Sequence, residues 1–117
     1  MKSNASKHVA WVTGLKAEAV ARYEELHANI WPAVKERMTE CHFRNFSIYK
    51  AKINGGYYLF AHFEYTGTDF ESDMKRVSEH PETREWWKET DPCQAPLPEA
   101  MSQGKIWTEL EKVYFHA

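Results

Sequence analysis

Hydrophobic and polar positions along this chain follow two periods, near two and near 3.6 residues, and the switches between them mark six elements. HVAWVT (His8–Thr13) reads as a short strand, with Thr13, Gly14 and Leu15 as a turn. In AVARYEELHANIWPAVKERM, residues Val20, Tyr23, His27, Ile30, Trp31, Val34 and Met38 recur at helical spacing, while Arg22, Glu25, Lys35 and Glu36 lie off that face. This predicts an amphipathic helix with His27 pointing at the core. Pro32 removes a backbone donor, so the helix is expected to kink or restart just after Ile30 and Trp31. HFRNFSIYKAK and YYLFAHFEY flank Asn54, Gly55 and Gly56, a strong hairpin signal. In the second of these strands Tyr57, Leu59, Ala61, Phe63 and Tyr65 alternate with Tyr58, Phe60 and His62, so both faces are apolar. A helical layer covers one face; the other is expected to meet a second sheet, most simply that of a homodimer partner.

Helical patterning returns in DFESDMKRVSEH, restarts after Pro81 through ETREWWKET and breaks at Asp91 and Pro92. DPCQAPLPEAMSQG, residues 91–104, is expected to be a loop without regular elements. EKVYFH reads as the closing strand. The order β-α-β-β-α-β predicts an α+β class domain, a ferredoxin-like protomer with an antiparallel sheet and helices on one face. It is expected to span residues 8–117 as a single domain, with residues 1–7 as a disordered N-terminal tail.

Composition narrows the function classes. A chain of 117 residues with 43% hydrophobic content forms one domain with a real core. The net charge of -2, with no run of either sign, offers no footprint for nucleic acid or an anionic membrane, and no apolar stretch is long enough to span a bilayer. The expected partner is small or neutral. Cys41 and Cys93 lie far apart outside any CxxC spacing, which argues against a disulfide framework or a thiolate zinc site and suits a reducing interior. The opening MKSNASK lacks the apolar core of a secretory signal, so a cytoplasmic protein is expected.

Candidate chemistry centres on His27. Its unperturbed pKa lies near neutrality, and Tyr23 and Trp31 stand one turn to either side on the same face. The competing reading is a core histidine held by one hydrogen bond. Trp86 and Trp87, about a hundred degrees apart on a helix, place at most one indole at the centre of a packed face and leave the other to line a rim or pocket. Such a wall suits the C–H faces and hydroxyls of a sugar. His62 with Glu64 and His42 with Arg44 share strand faces, but spacing of two recurs by chance and no compact ligand set such as HExxH is present. No metal site is expected.

YEELHANIWP (Tyr23–Pro32), RNFSIY (Arg44–Tyr49) and EWWKETDP (Glu85–Pro92) resemble the L-rhamnose mutarotase family, and the similarity runs from about Val9 to His116. The resemblance implies a dimeric α+β barrel of ferredoxin-like protomers that interconverts the α and β anomers of a 6-deoxy sugar without a cofactor. It implies His27 as the catalytic, proton-donating histidine, Tyr23 as a sugar contact, and Trp86 and Trp87 as walls of the sugar site. Phe46 stands where rhamnose-binding members carry a second tyrosine, which leaves L-rhamnose, L-fucose or another neutral deoxyhexose as candidate sugars. Folds of this type also host cofactor-free and haem-dependent monooxygenases. That enzyme class and a non-catalytic ligand-binding module are the competing readings.

Overall fold

The computed structural model describes residues 7–117. Residues 1–6 of the expected tail lie outside the described residues, and Lys7 already pairs with Tyr65. The elements are β1 (Lys7–Leu15), α1 (Val20–Ala28), α2 (Pro32–Glu40), β2 (Phe43–Ile53), β3 (Gly56–Tyr65), α3 (Phe70–Glu79), α4 (Pro81–Thr90), β4 (Gln94–Ala95), α5 (Pro98–Ser102) and β5 (Thr108–Glu109). Strands follow the order β2-β3-β1-β4, with β5 also pairing β1, and the pairings are antiparallel. This is the ferredoxin-like α+β arrangement.

The last quarter of the chain departs from the expected pattern in two places. EKVYFH is not a strand: residues 110–117 are irregular and exposed, and Val113 is 92% exposed. The place of the fourth strand is filled instead by the two short strands β4 and β5, both against β1. Nor is 91–104 a structureless loop. Asp91–Cys93 forms a single 3₁₀ turn, β4 follows, and Pro98 occupies the first turn of α5, where its missing N–H costs nothing. The expected turn at Thr13–Leu15 is likewise strand, since β1 continues to Leu15. Gly14 is needed there because a Cβ would collide with the carbonyl oxygen of Ala95 in β4.

The hairpin forms as its sequence predicts. Asn54 and Gly55 both take positive φ, 51° and 83°, as a tight two-residue turn of this hand requires, and Ile53 faces Gly56 across it. One feature of β2 has no simple sequence signal. Arg44 pairs with Glu64 and Ser47 with His62, so β2 carries one extra residue there, with Asn45 in the left-handed region at φ 52°. The bulge reverses the alternation: Phe43 faces the helices before it, and Phe46, Ile48 and Lys50 take that face after it.

Helices cover one face of the sheet over two clusters. The first gathers Leu15, Tyr23, Leu26, Val34, Leu59, Trp86 and Cys93. The second gathers Val9, Cys41, Phe43, Phe63, Tyr65 and Val77, and Trp87 and Met38 join the two. Leu26, absent from the expected stripe, is core; His27 beside it is only half-buried. On the opposite sheet face Tyr58, Phe60 and His62 remain half-exposed and Tyr49 is 64% exposed. Among the described residues no helix is long and apolar enough to cross a membrane.

One polar knot closes the second cluster. The Tyr65 hydroxyl donates to the buried carboxylate of Asp73 and accepts from the Asp69 backbone N–H at 3.0 Å, while Arg76 donates to the other Asp73 oxygen at 2.8 Å. Gly67 makes room, since a Cβ there would collide with the Tyr65 hydroxyl. The Tyr65 hydrogen bond holds the Asp73 carboxyl below its ordinary value, against the opposing effect of burial. A depressed carboxylate contributes stability above its unfolded pKa and loses it as pH falls through the folded value. Tyr65→Phe is therefore expected to cost about 1.5–3 kcal/mol at pH 7, the worth of a hydrogen bond to a charged group. In denaturant titrations the gap to wild type should narrow below pH 3.8.

Candidate active site

His27 occupies the last turn of α1, and its position there follows from Pro32. A residue before proline is driven to extended backbone, and Trp31 has φ -61° and ψ 132°. The chain leaves the helix at Asn29 and α2 begins afresh at Pro32, so the expected restart is observed. Extended Trp31 lays its indole edge-on to Trp86, with ring centroids 5.3 Å apart. His27 thereby comes to the open end of its helix.

The imidazole is held on three sides. Its ring stacks on Tyr23 at 4.1 Å, and Trp86 meets it edge-on at 5.4 Å. Nδ1 lies 2.9 Å from the Tyr23 carbonyl oxygen. A carbonyl only accepts, so Nδ1 carries the proton and the neutral ring keeps Nε2 as a bare acceptor. Burial pulls the His27 pKa below its ordinary value, partly offset by the bond to the Tyr23 carbonyl. Burial also pushes the Tyr23 phenol well above its ordinary range, so that hydroxyl stays protonated. The pair is a neutral base beside a neutral hydroxyl.

A cleft of about 290 Å³ opens over these groups, lined by Tyr23, Glu24, His27, Ala28, Ile48, Lys50 and Leu59. That is the low end of the roughly 300–1,000 Å³ usual for small-molecule pockets, a size suited to one sugar ring. Tyr23 and His27 share this cleft as expected from their spacing. His27 is not sealed in the core.

Other expected site residues stand elsewhere. Trp86 is 6% exposed and reaches the site through its edge contact with His27, behind the cleft. Trp87 is not among the cleft residues and lies half-buried in the seam between the two core clusters. Phe46 stacks on Phe63 at 5.2 Å in the second cluster and is not among the cleft residues. Glu24, Ile48 and Lys50 escaped sequence reasoning. Glu24 was legible as the residue three before His27 on the same helix, but the strand residues depended on the bulge at Asn45.

The remaining histidines form no second centre. His62 lies on the opposite sheet face, stacked on His8 at 5.5 Å, and His80 Nδ1 pairs with the Thr83 hydroxyl at 2.9 Å at the start of α4. Among the described residues no group of three or more His, Cys, Asp or Glu side chains is placed to hold a metal ion.

The family model described as L-rhamnose mutarotase matches residues 8–116. An L-rhamnose mutarotase of Lactiplantibacillus plantarum is 24% identical over 100 residues, 86% of this chain and 88% of that protein. The crystal structure of an L-rhamnose mutarotase from Formosa agariphila superposes with a TM-score of 0.72 at 19% identity, covering 96% of this chain and all of the other, which shows the shared fold. The chain belongs to the L-rhamnose mutarotase family, isomerases that act on sugar anomers.

Proposed function

We propose that this protein interconverts the α and β anomers of L-rhamnose, with His27 as the acid/base residue. The observation that carries the reading is a neutral imidazole that lines a cleft of sugar size, with Nδ1 bonded to Tyr23 O and Nε2 left as an acceptor. Mutarotation removes a proton from the anomeric hydroxyl and delivers one to the ring oxygen as the bond from C1 to that oxygen breaks. The open aldehyde turns about its C1–C2 bond and recloses on the other face. Nε2 takes the first proton, and the imidazolium so formed returns one when needed. A lowered pKa suits both halves: it keeps the resting ring neutral and makes its conjugate acid a readier donor.

Tyr23 binds a sugar hydroxyl and supports the imidazole through its stacked ring. Trp86 acts as the wall behind His27, and Trp87 supports the site indirectly by packing between the two core clusters. Phe46 contributes through packing under β2. The reaction uses no cofactor, because general acid–base help supplies roughly 10²- to 10⁴-fold, about 3–5 kcal/mol of barrier, for a process that already proceeds in water. L-fucose is the comparison sugar. We place the protein in the cytoplasm as a homodimer: the free, buried Cys41 and Cys93 suit a reducing compartment, and the exposed Tyr49 with Tyr58 and Phe60 gives the open sheet face an apolar surface for a second copy.

Saturation-transfer NMR on equilibrated L-rhamnose reads the reaction directly. Wild type should accelerate exchange between the anomers, and His27→Gln should lower kcat by roughly 10²- to 10⁴-fold with its melting temperature close to that of wild type. Unchanged exchange in a folded His27→Gln would refute the assignment. The pH profile carries its own sign. The neutral ring is the active form, so activity should hold as pH falls through 6.5 and decline only at lower pH, with a midpoint below the ordinary histidine value. A midpoint at or above 6.5 would contradict a desolvated base.

A further inference from the structure

Two charged side chains in the His27 cleft have no part in the proton transfer. Lys50 and Glu24 line it together, and their head groups form an ion pair. Glu24 stands three residues before His27 on α1, while Lys50 lies opposite Leu59 on the helix-covered face of β2. On that face Phe43, Phe46 and Ile48 precede Lys50 and Lys52 follows it, so the apolar row gives way to charge where it reaches the cleft. The ion pair does not explain it: the side chains are 37% and 55% exposed, and pairs so exposed contribute little to stability.

We propose that Lys50 and Glu24 together bind two adjacent hydroxyls of the sugar, and that their pairing selects neutral sugars over hexuronates. The inference rests on the mutarotase reading of the same cleft. An ammonium only donates, a carboxylate only accepts, and a hydroxyl does both. Neighbouring hydroxyls on a ring therefore bridge the pair, one accepting from Nζ and the next donating to the carboxylate, while Ile48 and Leu59 meet the C–H surface beneath. Neither charge is left unpaired when the sugar departs. A hexuronate meets a cation already satisfied and an anion that repels it, so the cleft holds no net attraction for acid sugars.

The test compares full-length wild type with Lys50→Met, Glu24→Gln and, as a control, Lys88→Met, whose ammonium pairs with Glu85 outside the cleft. KM and kcat for L-rhamnose anomer exchange are measured beside the Kd for methyl α-L-rhamnoside, which binds but cannot open. Lys50→Met and Glu24→Gln should each raise KM and Kd at least tenfold, the worth of a charge-assisted hydrogen bond, with kcat far less affected. Lys88→Met should leave both constants as in wild type. Glu24→Gln should also bind D-galacturonate at least tenfold more tightly than wild type does.

β2 is an edge strand, and an inward lysine on such a strand also discourages association through the edge. Were that its whole role, Lys50→Met would aggregate while its soluble fraction kept wild-type KM and Kd, which overturns the proposal. Unchanged Kd in both cleft variants, with folding verified by thermal melts, overturns it as well. Wild type that binds the methyl glycoside through these residues without accelerating exchange would refute the mutarotase reading and leave the hydroxyl contacts standing.

Discussion

One extra residue in β2 decides which side chains this protein can bring to its site. Antiparallel pairing fixes side-chain direction with a period of two, so a single insertion turns everything beyond it to the other face. Before Asn45, Phe43 points at the helices; after it, Phe46, Ile48 and Lys50 do. Without the bulge Ser47 and Tyr49 would line the space beneath α1, and the cleft beside His27 would have a different floor. Asn45 is a fitting residue for the role, since its short polar side chain tolerates the left-handed backbone and its amide donates to the Glu64 carboxylate at 3.2 Å.

The second constraint is the break at Pro32. A continuous helix through IWP would carry Ile30 and Trp31 on in helical phase and enclose His27 in mid-helix. Ending α1 at Ala28 leaves the ring at a helix end, where one edge stays open while Tyr23 and Trp86 hold its faces. The Nδ1 bond to the Tyr23 carbonyl is local, four residues back within one helix, so the tautomer is set by α1 alone. Position and protonation state thus have separate structural causes. The first depends on where the helix stops, and the second on the turn that precedes it.

Much of this was legible in the sequence, for reasons that differ by element. The Asn54–Gly55 turn, both proline restarts and the pairing of Tyr23 with His27 rest on local rules that tertiary context did not override. The apolar stripe is legible too: Tyr23 and Val34 are core and Val20, Ile30, Trp31 and Met38 pack against it, while Leu26 joins the core beside a His27 that is only half-buried. EKVYFH has the composition of a strand, yet the ladder on β1 ends just before it. Gln94–Ala95 and Thr108–Glu109 pair with β1, the Thr13 hydroxyl ties down the approach to β5 through the Ile106 carbonyl at 2.7 Å, and the last backbone bond runs from Leu110 N–H to the Ala10 carbonyl at 2.7 Å. Strand propensity alone does not extend the pairing. The bulge was invisible because its signal is one asparagine whose conformation depends on the pairing itself.

The two faces of the sheet carry different duties, and this separation bears on how the protein can assemble. The cleft lies on the helix-covered face, between α1 and the β2–β3 hairpin, and its floor residues Ile48 and Leu59 belong to that face. Tyr49, Tyr58 and Phe60 point the opposite way. A second copy seated on the open face would bury these aromatics and leave access to His27 unobstructed, so association and sugar binding do not compete for surface. β3 is apolar on both faces: one row packs under the helices that hold the site, and the other is the surface that the proposed partner would cover. A strand with a polar outer face would support the same cleft but offer the proposed partner nothing to bury.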